Sequence, residues 1–256
     1  MTQKIIILGQ GLAGSFASMH LRQKGIEHLV IDSPKLSSCS KIAAGLINPV
    51  VLKRLKWVTD SEQFLDYLKP FYLQWQKTLK SNFFQPIATK HLFKEQGQVN
   101  EWLGKSNTAP LLNHLGKIES TKIPKHISTN CGLGDLKGVY WLNTPVFLDT
   151  YRNYLDTHAM LLVKEVNKEF LDELKTNSTA GSRNIIIDCT GYLTTRLQNK
   201  LSNAFSPTNG EVLKVSAKNL PNSHAWHSKL FALPLGNDSF KIGATYQHQG
   251  LNDTPT

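Results

Sequence analysis

The chain has 256 residues, 40% hydrophobic and 19% charged, a balance that supports a sizeable buried core and excludes an intrinsically disordered chain. Its net charge of +10 favours anionic partners such as phosphates, anionic substrates, nucleic acid or a membrane surface, without choosing among them. Cys39, Cys131 and Cys189 lie far apart and form no CxxC or Cys/His cluster; neither a disulfide framework nor a metal site is expected, and a reducing, cytoplasmic setting is the default. No apolar run approaches the length that spans a bilayer, and the apolar residues 5–8 are too few for a signal-peptide core, so neither membrane insertion nor export is expected.

Residues 4–8 form a β-branched apolar run that breaks at Gly9-Gln10-Gly11-Leu12-Ala13-Gly14, and residues 15–24 then carry apolar side chains at helical spacing. A second strand, 28–31, ends at Asp32, about twenty residues beyond Gly11, which is the spacing of a dinucleotide-binding βαβ unit. Each residue type has a physical reason. Gly9 permits the sharp turn, Gly11 lets backbone approach a pyrophosphate, and Gly14 lets the helix pack close to the strand. The helix N-terminus offers N–H groups and a positive dipole end to phosphates. Asp32 is placed to accept hydrogen bonds from ribose hydroxyls and to disfavour a 2′-phosphate. The motif alone leaves NAD and FAD open.

Beyond Asp32 the regular doubly wound pattern stops. Ser33-Pro34 opens a polar loop, and residues 40–50 are rich in small side chains and end in Asn48-Pro49-Val50. This run reads either as a second cofactor-contacting segment, since small side chains let backbone lie against a flat ligand, or as a turn between elements. From 61 to 79, Phe64, Leu65, Leu68, Phe71, Tyr72, Trp75 and Leu79 recur at helical spacing, which predicts a helix that Pro70 kinks or interrupts. Thr144 and Pro145 read as N-cap and first position of a helix reaching about His158. Residues 159–166 and 183–189 read as strands returning to the first sheet.

The segments Gly9-Gln10-Gly11-Leu12-Ala13-Gly14-Ser15 and Ala43-Ala44-Gly45-Leu46-Ile47-Asn48-Pro49 resemble the opening of the D-amino-acid-oxidase-like FAD-dependent oxidoreductases, the family that includes glycine oxidase and sarcosine oxidase. Ile185-Ile186-Ile187-Asp188-Cys189-Thr190-Gly191-Tyr192 is similar to that family's later strand and glycine turn. Gly210-Glu211-Val212-Leu213-Lys214-Val215, Leu233-Pro234-Leu235-Gly236 and Ile242-Gly243-Ala244-Thr245-Tyr246 resemble its substrate-domain strands, and the blocks occur in the family's order.

The resemblance implies an α/β fold. A Rossmann-like FAD-binding domain would be built from 1–50 and 136–200, and an interleaved α+β substrate domain with a mainly antiparallel sheet from 51–135 and 201–256. It implies FAD as cofactor, held by Gly9, Gly11, Leu12, Ala13, Gly14, Asp32, Ala43, Ala44, Gly45, Val166, Thr190 and Gly191. The implied chemistry is oxidation of a C–N bond of an amino acid or other small amine: a C–H beside nitrogen gives hydride to the flavin, and the imine hydrolyses. Such chemistry needs positioning rather than a side-chain nucleophile. Tyr246 and His248, which strand alternation sends to one face, are the catalytic candidates, although Tyr246 reads equally as an ordinary strand aromatic. Lys53 and Arg54 read either as contacts to flavin or an anionic substrate, or as surface charges. His224 and His227 flank Trp226 without carboxylate partners and make no metal pattern.

In the family the chain continues past these strands with a segment that supplies a substrate-carboxylate arginine and closes over the flavin. None is found before Thr256, so a C-terminally truncated chain is expected. Two other readings remain. One is an oxidase domain similar to that of the tRNA wobble-uridine modification enzyme, with which the positive charge is compatible, although the lysines are scattered and form no arginine-rich stripe. The other is a non-catalytic fragment that keeps the FAD half-site. An NAD-dependent dehydrogenase would share only the first fifty residues.

Overall fold

The structure is a computed structural model that describes residues 4–33, 39–121, 123–176, 184–197, 206 and 208–247. The chain divides into two compact units, one formed by Met1–Ala43, Thr144–Asn209 and Gln247–Thr256, the other by Ala44–Asn143 and Gly210–Tyr246. The first unit opens with β1 (Ile5–Leu8), α1 (Leu12–Gln23), β2 (His28–Asp32) and α2 (Cys39–Ile42). The second unit follows with β3 (Leu46–Ile47), β4 (Val50–Val51), β5 (Lys56–Trp57), α3 (Ser61–Leu79), β6 (Phe84–Pro86), β7 (Thr89–Leu92), α4 (Gln96–Ser106), β8 (Leu115–Glu119), β9 (Leu133–Leu136) and β10 (Tyr140–Leu142). The chain then returns to the first unit for α5 (Thr144–Thr157), β11 (Leu161–Val163), α6 (Lys168–Thr176), β12 (Ile185–Asp188) and α7 (Thr194–Leu197). It finishes the second with β13 (Val212–Ser216), β14 (Ala225–His227), β15 (Phe231–Gly236) and β16 (Ser239–Gly243).

In the first unit four parallel strands lie in the order β11-β2-β1-β12. Apolar residues on both faces of β1 are buried from Ile6 to Leu8, as a central parallel strand requires. Ile6, Leu8 and Ile31 pack with Leu171 of α6. Helix α1 begins three residues earlier than the apolar spacing suggests, because Gly11 is already its extended N-cap (φ −79°, ψ −165°). Its buried residues Gly14, Ser15, Ser18 and Met19 are mostly small, so the helix lies close to its neighbours. Ser18 Oγ bonds His28 Nε2 at 2.6 Å and Tyr151 of α5 at 2.7 Å, and Phe16 stacks on Phe147 of α5 at 5.7 Å. Phe147, Leu148, Tyr151 and Leu155 of α5 are all fully buried.

In the second unit seven strands form one sheet in the order β13-β16-β15-β14-β7-β9-β8. Its pairs are antiparallel except β14 with β7, which run parallel. A cluster of Phe93, Trp102, Leu111, Leu115, Leu136 and Val139 forms the core at the α4 end. Gly134 makes room for it, since a Cβ there would sit 2.7 Å from the Phe93 ring and 2.9 Å from Trp102. Helix α3 runs unbroken through Pro70; of the kink or interruption expected from sequence, the interruption does not occur. One missing N–H bond is outweighed by a face on which Leu65, Phe71, Tyr72 and Trp75 are buried, with Tyr72 stacked on Phe84 at 4.6 Å. Phe64, part of the same expected stripe, instead points to solvent. β16 ends at Gly243, so the strand expected to reach Tyr246 stops earlier, although Thr245 N–H still bonds Glu211 O at 3.2 Å. No helix among the described residues is long and apolar enough to cross a membrane.

His91 and His227 occupy facing positions on β7 and β14, with their Nδ1 atoms 3.3 Å apart. The His91 ring lies nearly parallel to Trp102, 5.8 Å away. Burial first, and then the neighbouring His227, push His91 down from 6.5 to about 4, and burial also lowers His227. The folded state thus favours the neutral rings, so the unfolded chain takes up protons first as pH falls. The stability contribution is complete above pH 6.5 and is lost as pH falls toward 4. Across that window the folded state should lose about 1–3 kcal/mol from His91, read as a falling midpoint in denaturant or thermal unfolding. His91→Phe should flatten that slope; an unchanged slope would remove the histidine pair as its source.

Candidate cofactor site

β1 lies between β2, which follows it through α1, and β12, which the chain reaches only after α6; the turns after β1 and β12 thus lie side by side at the strands' C-terminal ends, where ligands of open parallel sheets bind. A cavity of about 220 Å³ occupies this place, lined by Gly9 to Gly11, Ile31 to Ser33, Cys39 to Lys41, Arg152, Val166 and Cys189 to Leu193.

The glycines in the turn have different tasks. Gly9 has φ +92°, and a Cβ there would lie 2.6 Å from the Cys189 carbonyl oxygen. A Cβ on Gly14 would lie 1.9 Å from the Gly9 carbonyl oxygen and 3.3 Å from Cys189 Cβ. Both are demanded by the contact of helix, turn and β12. Gly11 is not strained, and a Cβ there would meet only Ser40, with Oγ at 3.1 Å. The first N–H groups of a helix have no partner inside it, and here Leu12 N–H donates to Ser40 Oγ at 3.1 Å.

Asp32 closes the far side. Its Oδ1 accepts the Gln10 backbone N–H at 2.9 Å, and its Oδ2 accepts from Arg152 Nη1 at 2.5 Å. Gln10 is buried; its Nε2 donates to Ser15 Oγ (3.2 Å) and to the Leu148 carbonyl (3.0 Å), and its Oε1 accepts from Arg152 Nη1 at 3.4 Å. Asp188 holds the other turn: Oδ1 accepts from Thr190 N–H (3.0 Å) and Thr190 Oγ1 (2.7 Å), and Oδ2 from Thr194 Oγ1 (3.1 Å). Gly191, at φ +64°, follows directly. Burial, and then Asp188, push the Cys189 thiol up, so it stays protonated and a poor nucleophile. Lys41 pairs with Asp149 at 2.6 Å.

Of the residues expected from sequence, Gly9, Gly11, Asp32, Val166, Thr190 and Gly191 come together around the cavity. Leu12, Ala13 and Gly14 form the first turn of α1, outside the lining. Ala43 also lies outside it, its N–H bonded to the Cys39 carbonyl at 2.9 Å and its own carbonyl accepting from Thr144 Oγ1 at 3.3 Å. Ala44 and Gly45 belong to the second unit, where their carbonyls accept from Trp141 Nε1 (3.1 Å) and Leu142 N–H (2.9 Å). Tyr246 lies just past β16 with 77% exposure, and His248 falls outside the described residues. Lys53 and Arg54 sit in a short helical turn of the second unit, where Lys105 Nζ donates to the Arg54 carbonyl at 3.2 Å. Among the described residues no three His, Cys, Asp or Glu side chains gather as a metal site would need. Sequence reasoning missed Gln10 and Arg152. Ser40 and Lys41 lie in the small-residue run read as either a cofactor-contacting segment or a turn, but Arg152 carries no local signal, since it sits among the core positions of an amphipathic helix.

No protein-family model matches the chain. Solved structures do. Glycine oxidase from Bacillus cereus superposes with a TM-score of 0.74 at 14% identity, covering 100% of this chain and 76% of that one. Iminodiacetate oxidase from Chelativorans gives 0.72 at 13% identity, covering 98% and 74%. L-α-glycerophosphate oxidase from Mycoplasma pneumoniae, solved with FAD bound, gives 0.62 at 15% identity, covering 96% and 72%. The chain therefore shares the fold of these solved oxidases. It is shorter than each of these three solved chains, spanning 72% to 76% of their lengths.

The two kinds of glycine should separate by experiment. Gly14→Ala forces backbone apart and should cost about 2 kcal/mol or more of stability, or abolish folding. Gly11→Ala should shift the unfolding midpoint little, since its Cβ meets only the Ser40 side chain. Equal destabilisation by both would contradict the assignment.

Proposed function

We propose that this chain binds FAD in the cavity of the first unit and belongs to an oxidoreductase that oxidises the C–N bond of an amino acid or other small amine. On this reading the first unit is the FAD-binding domain, and the second, with its seven-stranded sheet, is the substrate domain. The observation that carries the proposal is the convergence of the glycine turn, Asp32 and the Thr190-Gly191 turn on one cavity, in a fold that one FAD-bound structure shares.

The lining suits the adenosine diphosphate half of FAD. The Gly9 to Gly11 turn at the N-terminal end of α1 would face a diphosphate, Gly11 removes the side chain that would stand in its way, and Asp32 would offer acceptors to ribose hydroxyls. Thr190 and Gly191 bring backbone to the same cavity without bulk. When bound, the flavin supplies an acceptor for two electrons from the carbon beside nitrogen. Tyr246 and His248 would serve the substrate by hydrogen bonding, and a cytoplasmic setting suits the free thiols.

Purified protein incubated with FAD and then desalted should keep the visible flavin bands, and anaerobic addition of glycine, proline or another small amine should bleach them. Retention of NAD with rejection of FAD would overturn the flavin reading. Tyr246→Phe should leave FAD retention unchanged and lower amine turnover about tenfold, the effect of one lost hydrogen bond to a charged group.

A further inference from the structure

Arg152 reaches the cavity from α5, an element that the βαβ motif does not include. Its Nη1 is held on Asp32 Oδ2 and Gln10 Oε1, and Gln10 is itself fixed by Ser15 and the Leu148 carbonyl. The Arg152 and Asp32 side chains are mostly covered, at 18% and 23% exposure. Among the described residues Arg152 Nη2 is buried and meets no acceptor. Buried guanidinium N–H groups are ordinarily satisfied, and Arg152 is among the residues that line the cavity.

We propose that Arg152 is a recognition residue for the adenosine diphosphate end of the dinucleotide. The inference rests on the reading of the cavity given above. The guanidinium does two things. It neutralises Asp32, which would otherwise place an uncompensated negative charge beside a ligand that is itself an anion. It also keeps one N–H face for a ribose or phosphate oxygen, the acceptor chemistry that Arg matches best. Asp32 therefore acts as half of an ion pair rather than as a lone acid, and its discrimination against phosphate on the ribose is weaker than the bare motif implies.

Calorimetry with ADP and with FAD, on the apo protein at two salt concentrations, tests this. Arg152→Gln should weaken both ligands at least tenfold and flatten the salt dependence. Arg152→Lys, which keeps the charge, should fall between the two and also serves if Arg152→Gln does not fold, as the apo unfolding midpoint will show. Adding Arg152→Gln to Asp32→Asn should still weaken ADP threefold or more. No loss in that background would mean that Arg152 serves only Asp32, and would overturn the ligand contact. Unchanged ADP and FAD affinity in Arg152→Gln, with wild-type binding both, would overturn the proposal and leave the flavin reading standing. Wild-type binding ADP or NAD but not FAD, weakened by Arg152→Gln, would keep Arg152 in its role and remove the flavin. A wild-type protein that binds none of them would remove both.

Discussion

The first unit depends on how closely a helix can approach a strand. The hydrogen on Gly14 faces the carbonyl of Gly9, and Gly9 in turn lies against the carbonyl of Cys189. Three backbone segments therefore meet where side chains would normally intervene. That contact brings the start of α1, the end of β1 and the turn after β12 to one point, and the cavity is the space left beyond it. Backbone meeting backbone tolerates little adjustment, because neither partner can rotate away as a side chain can.

Much of this was legible in the sequence because the determinants are local. The β1-turn-α1-β2 unit is marked by glycine spacing and by a strand ending in an acid, and these residues carry their own conformational reasons. The later turn at Thr190-Gly191 was found through family resemblance, and the cavity brings it beside the first turn. What escaped were side chains whose role exists only in three dimensions. Arg152 looks like any polar position on a helix until α5 is placed beside β2. Gln10 looks like a filler between glycines, yet it is buried and bonds α5. At Pro70 the expected helix forms but is not interrupted: the loss of one backbone hydrogen bond is outweighed by the packing of Tyr72 and Trp75, which only the tertiary structure reveals.

The electrostatics of the two units differ in kind. In the cavity, charge is compensated one to one, with Asp32 set on Arg152 and Lys41 on Asp149. In the second unit Lys90 lies between two carboxylates, 2.7 Å from Asp135 and 3.0 Å from Glu119. Its ammonium is held above the usual lysine range by those two partners, which outweigh its desolvation. The chain's positive excess is therefore not concentrated at either of these places, and the net charge alone says little about where an anion would bind.

The pairing of Ile5 with Ile185 has a consequence for biosynthesis. β1 leaves the ribosome with an unsatisfied edge that can be closed only by a strand made far later. At ordinary elongation rates that interval is roughly ten to forty seconds. During it the most apolar strand of the protein must be shielded by β2 and the nascent helices or by a chaperone. The second unit meets the same problem, since β7 must wait for β14. The first sheet waits for β12 (Ile185–Asp188) and the second for β16 (Ser239–Gly243), so neither closes from one continuous stretch, and fragments cut between the units should prove aggregation-prone rather than independently folded.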